Sequence, residues 1–234
     1  MVIAMLLAHL VGDYVLQWDS LAQWKAREMR GVIVHSLILL LVTYLFAVPF
    51  DPTWWSGILL IGLSHFLIDA AQFVFKPRIS PLLRFTLDQF GHFFFIILAL
   101  VLGGYLTWGN IWGGIIESAK ATPLLTAILG YAFITMPTWV LLKFVIYALV
   151  KGQPPNFPAG PNKFVGITER VIITTLVLFG QVLLVPLVTL PRLILEWPKV
   201  TDTGGDNIYV IELISSVSLA VGVGLGLSLL RLSL

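Results

Sequence analysis

Long apolar runs follow one another along the whole chain, separated by short groups of charged residues, prolines and glycines. A helix needs about 20 apolar residues to cross the hydrocarbon layer of a bilayer. The sixth run contains Pro186 and Pro191 and is long, whereas the first is short, so six or eight crossings remain open. The pattern predicts an all-α polytopic bundle of seven transmembrane helices, at 1–18, 31–50, 53–75, 85–106, 123–150, 165–195 and 208–231.

The composition agrees with a membrane protein. Of the 234 residues, 58% are hydrophobic and 11% charged, against about 25% charged in soluble domains. We expect one integral-membrane domain over 1–234, with a four-helix half at 1–106 that carries a polar site and a three-helix supporting half at 123–231. The net charge of +2 argues against a nucleic-acid surface, and the absence of cysteine excludes disulfides and thiolate metal ligands.

Lys and Arg gather in alternate loops, as expected for loops on the cytoplasmic side. This predicts an outside N-terminus and a cytoplasmic C-terminus. The connector 19–30 is predicted to be an interfacial helix whose basic residues meet lipid headgroups. The basic positions that carry this prediction are Lys25, Arg27 and Arg30 after the first span, Lys76, Arg78 and Arg84 after the third, Lys151, Lys163 and Arg170 around the loop after the fifth, and Arg231.

Polar residues interrupt the first four apolar runs at helical spacing. Each of these runs contains one histidine, and three of the histidines have an aspartate four positions away, which places both side chains on one helix face. Three glutamines lie near these residues. The set consists of His9 with Asp13, His35, His65 with Asp69, and Asp88 with His92, together with Gln17, Gln72 and Gln89.

These groups lie at matching depths. Counted from the basic end of each span, the histidines and aspartates lie about three to ten residues inside the membrane. At about 1.5 Å per residue, this predicts that they share one layer in the cytoplasmic half of the bilayer. Ionisable groups in hydrocarbon must pair, line a watery cavity or bind metal. Four imidazoles and three carboxylates suit zinc first, with iron or manganese as alternatives, and could hold one or two ions. A coordinated water of lowered pKa would support hydrolysis.

Simpler roles are open for each residue. A His/Asp pair can be a hydrogen-bonded link between helices, and an aspartate can orient a ligating histidine without binding the ion. The three glutamines are expected to pack or to orient the ligands. Lys143, which is predicted at the depth of the cluster, could bind an anionic substrate group, reach the interface or neutralise a carboxylate. Glu169 and Arg170 could pair with the cluster or cap a helix, and the cap is the favoured role. Glu212 is expected near the external end of the last span, too far away to join the cluster and Lys143.

Small residues recur every four positions in the last span and form a strip that allows close helix contact. Packing within the chain is the expected use of this strip, and a homodimer or membrane-complex seam is the alternative. The strip consists of Ser216, Ala220, Gly224 and Ser228.

The segments "AHLVGDYVLQ" with the following Lys25, "GVIVHSLI", "SHFLIDAAQ" and "LDQFGH" resemble, in this order, an uncharacterised family of small bacterial integral-membrane proteins, a domain of unknown function. A weaker likeness extends to "GITERVIITTLVLFGQ" and "IELISSVSLAVG", so that it covers most of the chain. The resemblance implies the polar set itself, without an activity, and a location in a bacterial inner membrane. The His-x-x-x-Asp pattern is also similar in style to membrane-bound metal-dependent hydrolases. The His-Glu-x-x-His and Glu-Glu-x-x-x-Arg elements of two kinds of intramembrane protease are absent, and membrane di-iron enzymes carry about eight histidines.

The leading hypothesis is therefore a metal-dependent hydrolase that acts on an amphiphilic or lipid-like molecule in the cytoplasmic half of the bilayer, with membrane lipids as its other partners. Asp13 would be a ligand or the general base. A proton or divalent-cation transporter that uses the same cluster is an alternative, as is a scaffold without catalysis. The outer halves of the first four spans are almost wholly apolar, which favours a site open to one side.

Overall fold

The structure, a computed structural model, describes residues 1–75, 78–148, 157, 162–201 and 208–232, and all regular elements among them are helices. The chain forms two compact units, Met1–Leu129 and Gly130–Leu234. Three side chains used in the charge pattern lie outside the described residues: those of Lys76, Lys151 and Arg231. Most of the proline-rich stretch after the fifth predicted span lies outside them as well. The prediction of one membrane domain with two halves stays a prediction.

The first unit consists of six helices. Helix α1 (Val2–Leu10) continues into a wider π turn at Val11–Val15, and is followed by α2 (Asp19–Arg27), α3 (Met29–Ala47), α4 (Trp55–Phe75), α5 (Pro81–Leu102) and α6 (Ile111–Ala121). Capping chemistry sets two of the starts. Ser80 Oγ accepts from the Leu83 amide, with Pro81 in the first turn of α5, and Asn110 Oδ1 accepts from the Gly113 amide at the start of α6.

Four helices within the described residues are long and apolar enough to cross a membrane, and the bent pair Pro123–Ile134 and Met136–Ile146 would be a fifth. The four are Met29–Ala47, Trp55–Phe75, Pro81–Leu102 and Tyr209–Leu230. Rows of leucines four positions apart stay exposed on α3 and α4, each more than half exposed, at Leu37, Leu41, Leu45, Leu59, Leu63 and Leu67. Such rows are unfavourable in water and favourable against lipid tails, so the helices indicate a membrane protein.

The predicted first span is a central core helix instead of a long lipid-facing one. The apolar helix Val2–Val15 is too short to be among the four spans, since 14 residues extend only about 21 Å. Val2, Ile3, Met5 and Leu7 are almost fully buried and cover several sides of α1. A helix that is apolar all round belongs in a core. Here it packs against α3, α5 and α6.

The second unit contains α8 (Met136–Ile146), α9 (Asn162–Leu178), α10 (Val185–Thr201) and α11 (Ile208–Leu232), while α7 (Pro123–Ile134) begins before the boundary between the units. The single span predicted at 165–195 is wrong, because α9 and α10 form a hairpin. Gly180 makes the turn with φ 76°, a conformation that favours glycine. Arg192 Nη1 contacts Glu169 Oε2 at 3.0 Å, and these residues lie at similar distances on either side of the turn.

The hairpin also changes the position of Lys143 and Glu212. Lys143 Nζ lies 3.1 Å from Glu212 Oε2. The ammonium group near the end of α8 is therefore in direct contact with the carboxylate near the start of α11. The prediction that Glu212 lies far from the depth of Lys143 is wrong, since it assumed a complete crossing between them. Lys143 neutralises a carboxylate of the second unit. Its predicted contact with an anionic substrate gains no support from this arrangement.

Arg170 closes the break between α7 and α8. Its Nε donates to the Ile134 carbonyl and its Nη2 to the Thr135 carbonyl at 3.1 Å, while Nη1 lies 3.2 Å from Ser216 Oγ. The Thr135 carbonyl also accepts from the Trp139 amide at 3.2 Å, so Arg170 adds to the hydrogen bonding of the carbonyls where the helix is interrupted. The side chain is 2% exposed and serves as a structural cap of a neighbouring helix.

The small-residue strip of α11 faces α9 over most of its length. Ser216 and Ala220 are buried, and a Cβ on Gly224 would lie 2.7 Å from Val177 Cβ. Ser228 is partly exposed, and its Oγ donates to the Leu225 carbonyl. The chain itself covers most of this strip, and a homodimer seam there stays a prediction.

Candidate metal site

Four elements of the first unit bring the predicted polar residues together. The π turn after α1 carries Asp13, α3 carries His35, α4 carries His65 and Asp69, and α5 carries His92, all of them 6% exposed or less. Helix α3 packs against α4, and α4 against α5. The convergence expected from matched depths is thereby confirmed.

The first group of possible ligands consists of Asp13, His35 and His65. One ligand atom from each residue lies within 4.8 Å of the others. His35 Nε2 is 3.1 Å from Asp13 Oδ1 and 3.1 Å from His65 Nε2. Two imidazole nitrogens on one tetrahedral zinc ion would be about 3.3 Å apart, given Zn–N bonds of about 2.05 Å. The separation in the protein is close to this value, so the donor set fits a divalent ion.

The second group consists of His65, Asp69 and His92, again within 4.8 Å of one another. His65 Nε2 lies 3.3 Å from Asp69 Oδ2, and the rings of His65 and His92 stack at 4.1 Å. Neither ring nitrogen of His92 makes a hydrogen bond of normal geometry. A buried imidazole without such a bond is costly unless another partner satisfies it. A metal ion would be such a partner.

His9 lies beside both groups and belongs to neither. Its Nε2 is 4.0 Å from Asp13 Oδ2, because the π turn between them changes the helical spacing that was expected to pair the two residues. Asp13 contacts His35 instead. Gln89 links this region, since its Nε2 donates to Asp13 Oδ2 at 3.2 Å and its Oε1 lies 3.4 Å from His9 Nε2. This is the orienting position expected for Gln89.

Asp88 also lies outside the two groups. Its Oδ1 is 3.2 Å from His92 Nε2, and Gln89 Nε2 donates to its Oδ2 at 3.0 Å. Gln72 donates to Asp88 and accepts from Arg84 Nε at 2.9 Å. Asp88 therefore holds His92 from one side, while Gln72 joins this carboxylate to a cation.

Lys25 enters the cluster from α2, which the sequence did not indicate. Its Nζ lies 2.7 Å from Asp69 Oδ2. Burial lowers the pKa of Lys25, but the charges of Asp69 and Asp13 raise it by more, so the net shift is upward and the ammonium form is favoured. The connector was expected to direct its basic residues to lipid headgroups. Glycine allows the different arrangement, because a Cβ on Gly31 of α3 would lie 2.5 Å from the Lys25 backbone nitrogen.

A cavity of about 380 Å³ borders the cluster on the side of α2. Asp69 and Asp88 form part of its wall, so the second group borders the cavity through Asp69, whereas Asp13 and the four histidines are not among the lining residues. Gln17, the third predicted glutamine, also lines the cavity, and its Oε1 is buried without a hydrogen bond.

Comparison with known proteins gives a match to a family of unknown function. No curated protein and no solved structure matches the chain. The resemblance to an uncharacterised family is confirmed over residues 1–110, while the weaker likeness at α9 and α11 lies outside the matched segment. Residues 1–110, which contain every residue of the His/Asp cluster, match the family described as Protein of unknown function (DUF3307).

Proposed function

We propose that the protein is a membrane-embedded metal-dependent hydrolase of amphiphilic molecules, with its site in the cytoplasmic half of the bilayer. The observation that carries the proposal is the convergence of His65, Asp69 and His92, whose possible ligand atoms lie within 4.8 Å of one another, with His65 Nε2 3.3 Å from Asp69 Oδ2. Imidazole and carboxylate donors suit zinc, with iron or manganese as alternatives. The basic residues near this end of α3 to α5 favour the cytoplasmic side.

His65 favours a single ion. All its polar contacts to the two groups are made through Nε2, and one nitrogen coordinates one ion. The second group borders the cavity, so we assign the reactive position to His65, Asp69 and His92. The first group then supports His65 through His35 and Asp13. His9 and Asp88 act as neighbours that orient the ligands.

The chain supplies the remaining chemistry. His65, Asp69 and His92 would hold a divalent ion at this position, which would supply Lewis acidity. Asp88 is the carboxylate that both faces the cavity and contacts His92, so we assign it as the proton acceptor in preference to Asp13. Asp13 is enclosed by His35 and Gln89 and keeps these two side chains oriented.

A hydrolase fits the surroundings of the cluster better than a transporter. A transporter needs polar groups that lead to both faces of the membrane. Beyond the cluster, the core of the first unit is built from buried apolar side chains, among them Met5, Leu39, Ile58, Ile96 and Leu100. This packing supports a site with access from one side.

Metal analysis of the detergent-purified full-length protein tests the proposal. We expect about one equivalent of zinc, iron or manganese in the wild type and loss of most of it in His65→Ala. His9→Ala is the matched control, because His9 is equally buried but belongs to neither ligand group, and it should keep its metal. His65→Asn, which preserves more of the polar contacts, serves if His65→Ala does not fold.

Absence of metal from zinc-supplied wild type, or full retention in a folded His65 variant, would overturn the metal site. Activity of the metal-containing protein is measured as metal-dependent cleavage of amphiphilic esters and phosphoesters. Uptake of divalent cations into proteoliposomes without any cleavage would show transport instead.

A further inference from the structure

The cavity beside the cluster is lined by both polar and apolar side chains, so its lining suits a molecule whose polar head joins an apolar chain. A volume of about 380 Å³ holds a headgroup and the first part of such a chain. The polar part of the wall, called the polar wall below, consists of Gln17, Lys25, Asp69, Gln72, Arg84 and Asp88, and the apolar part of Ala22, Ala26, Val32 and Phe73.

Two cations of the polar wall are held in fixed positions. Lys25 is bound to Asp69, and Arg84 donates from Nε to Gln72 Oε1 and from Nη2 to the Gln72 carbonyl. Fixed guanidinium and ammonium groups are typical of sites that recognise oxyanions. The protein's own contacts hold both cations in place.

The charge of this wall depends on the metal. Lys25 and Arg84 balance the carboxylates Asp69 and Asp88 when the protein is considered alone. A divalent ion held by Asp69 would add two positive charges next to the cavity. The metal-loaded cavity therefore has an excess of positive charge, which favours a dianionic ligand.

We propose that the cavity binds the phosphate monoester head of an amphiphile, an inference that rests on the proposed metal-dependent hydrolase. A phosphate monoester has its second pKa near 6, so near neutral pH most of it is dianionic and offers three anionic oxygens. A carboxylate head would lack the second negative charge.

Hydrolysis of such a molecule breaks the P–O bond to the alkyl group. The oxygen of water bonds to phosphorus, one proton of water passes to Asp88 and then to the departing alkoxide, and the products are an alcohol and inorganic phosphate. No oxidant or further reactant is needed.

Binding of dodecyl phosphate to zinc-loaded, full-length protein in a neutral detergent tests the inference, with inorganic phosphate and dodecyl maltoside as the comparison ligands. We expect dodecyl phosphate to bind, inorganic phosphate to bind more weakly and dodecyl maltoside to give no specific signal. Lys25→Met and Arg84→Met should each weaken binding at least about tenfold, since each removes a charged hydrogen-bond donor. Lys25→Arg should restore it.

Lys143→Met is the control variant, because it removes a lysine of the second unit and should leave affinity unchanged. Metal content is measured on the same samples. Protein that holds metal but does not bind dodecyl phosphate would overturn this inference and leave the metal site standing, whereas protein without metal would overturn the proposed function. Equal affinity for inorganic phosphate and dodecyl phosphate would overturn the assignment to an amphiphile.

Discussion

Lys25 and Asp69 form an ion pair in which the side chain of Asp69 is 3% exposed and that of Lys25 is 22% exposed. Removing one partner of a buried pair leaves an uncompensated charge. In metal-free protein, Lys25→Met should therefore lower the free energy of unfolding by about 3 kcal/mol. Zinc should recover part of this loss, because an ion near Asp69 replaces the missing positive charge. Denaturation with a chelator and with zinc measures both effects.

The double variant Lys25→Met with Asp69→Asn provides the control for this ion pair, since no buried carboxylate is then left unpaired. It should be more stable than Lys25→Met alone in the presence of a chelator, and zinc should change its stability little. If the Lys25→Met protein in a chelator had the same free energy of unfolding as the wild type, the ion pair would not stabilise the fold.

At the scale of elements, α9 and α11 approach each other closely at Gly224, where an added Cβ would lie 2.7 Å from Val177 Cβ and 3.0 Å from the Thr174 carbonyl oxygen. Gly224→Ala should force the two helices apart and lower stability by about 1–3 kcal/mol. Gly222→Ala is the matched control on the same helix, because its Cβ would meet nothing within 4 Å. It should be neutral or slightly stabilising, since alanine is the better helix former. Thermal unfolding in one detergent compares them, and equal losses would contradict close packing at Gly224.

Hydrophobicity along the sequence identifies long apolar helices, and these are the elements that could be predicted. Spans at 31–50, 53–75 and 85–106 were recognised because their apolar runs have the length of a bilayer, and they correspond to α3, α4 and α5. Apolar sequence is the same whether a helix faces lipid or a protein core. The burial of α1 was therefore missed, and the turn at Gly180 was hidden inside one continuous apolar run.

The candidate site could likewise be predicted only in part. The histidines and aspartates could be found because helical spacing and depth are both readable from sequence. Lys25 could not, because its contact with Asp69 depends on how α2 folds back on α3, and this depends on the tertiary contact at Gly31. His9 lies beside the cluster, as expected, but Asp13 in the π turn contacts His35 instead.

At the scale of the whole molecule, the hairpin of α9 and α10 changes the expected orientation of the C-terminus. Lys143 near the end of α8 and Glu212 near the start of α11 are in contact, so these two helix ends lie on the same side. Helix α11 contains the candidate span Tyr209–Leu230. If α11 crosses the bilayer, its end lies on the side opposite to the end of α8. The seven-span topology instead placed the loop after the fifth span and the C-terminus together in the cytoplasm.

Single cysteines distinguish these topologies, and the chain has no native cysteine to remove. Gly152→Cys follows α8 in the sequence and Ser233→Cys follows α11 directly. With a membrane-impermeant maleimide, we expect one of the two variants to be labelled in intact cells and the other only after permeabilisation, because α11 separates the two positions. Reaction of both from the same side would contradict the hairpin and restore a complete crossing between α8 and α11. Retained metal content in both variants would show that labelling reports the native fold.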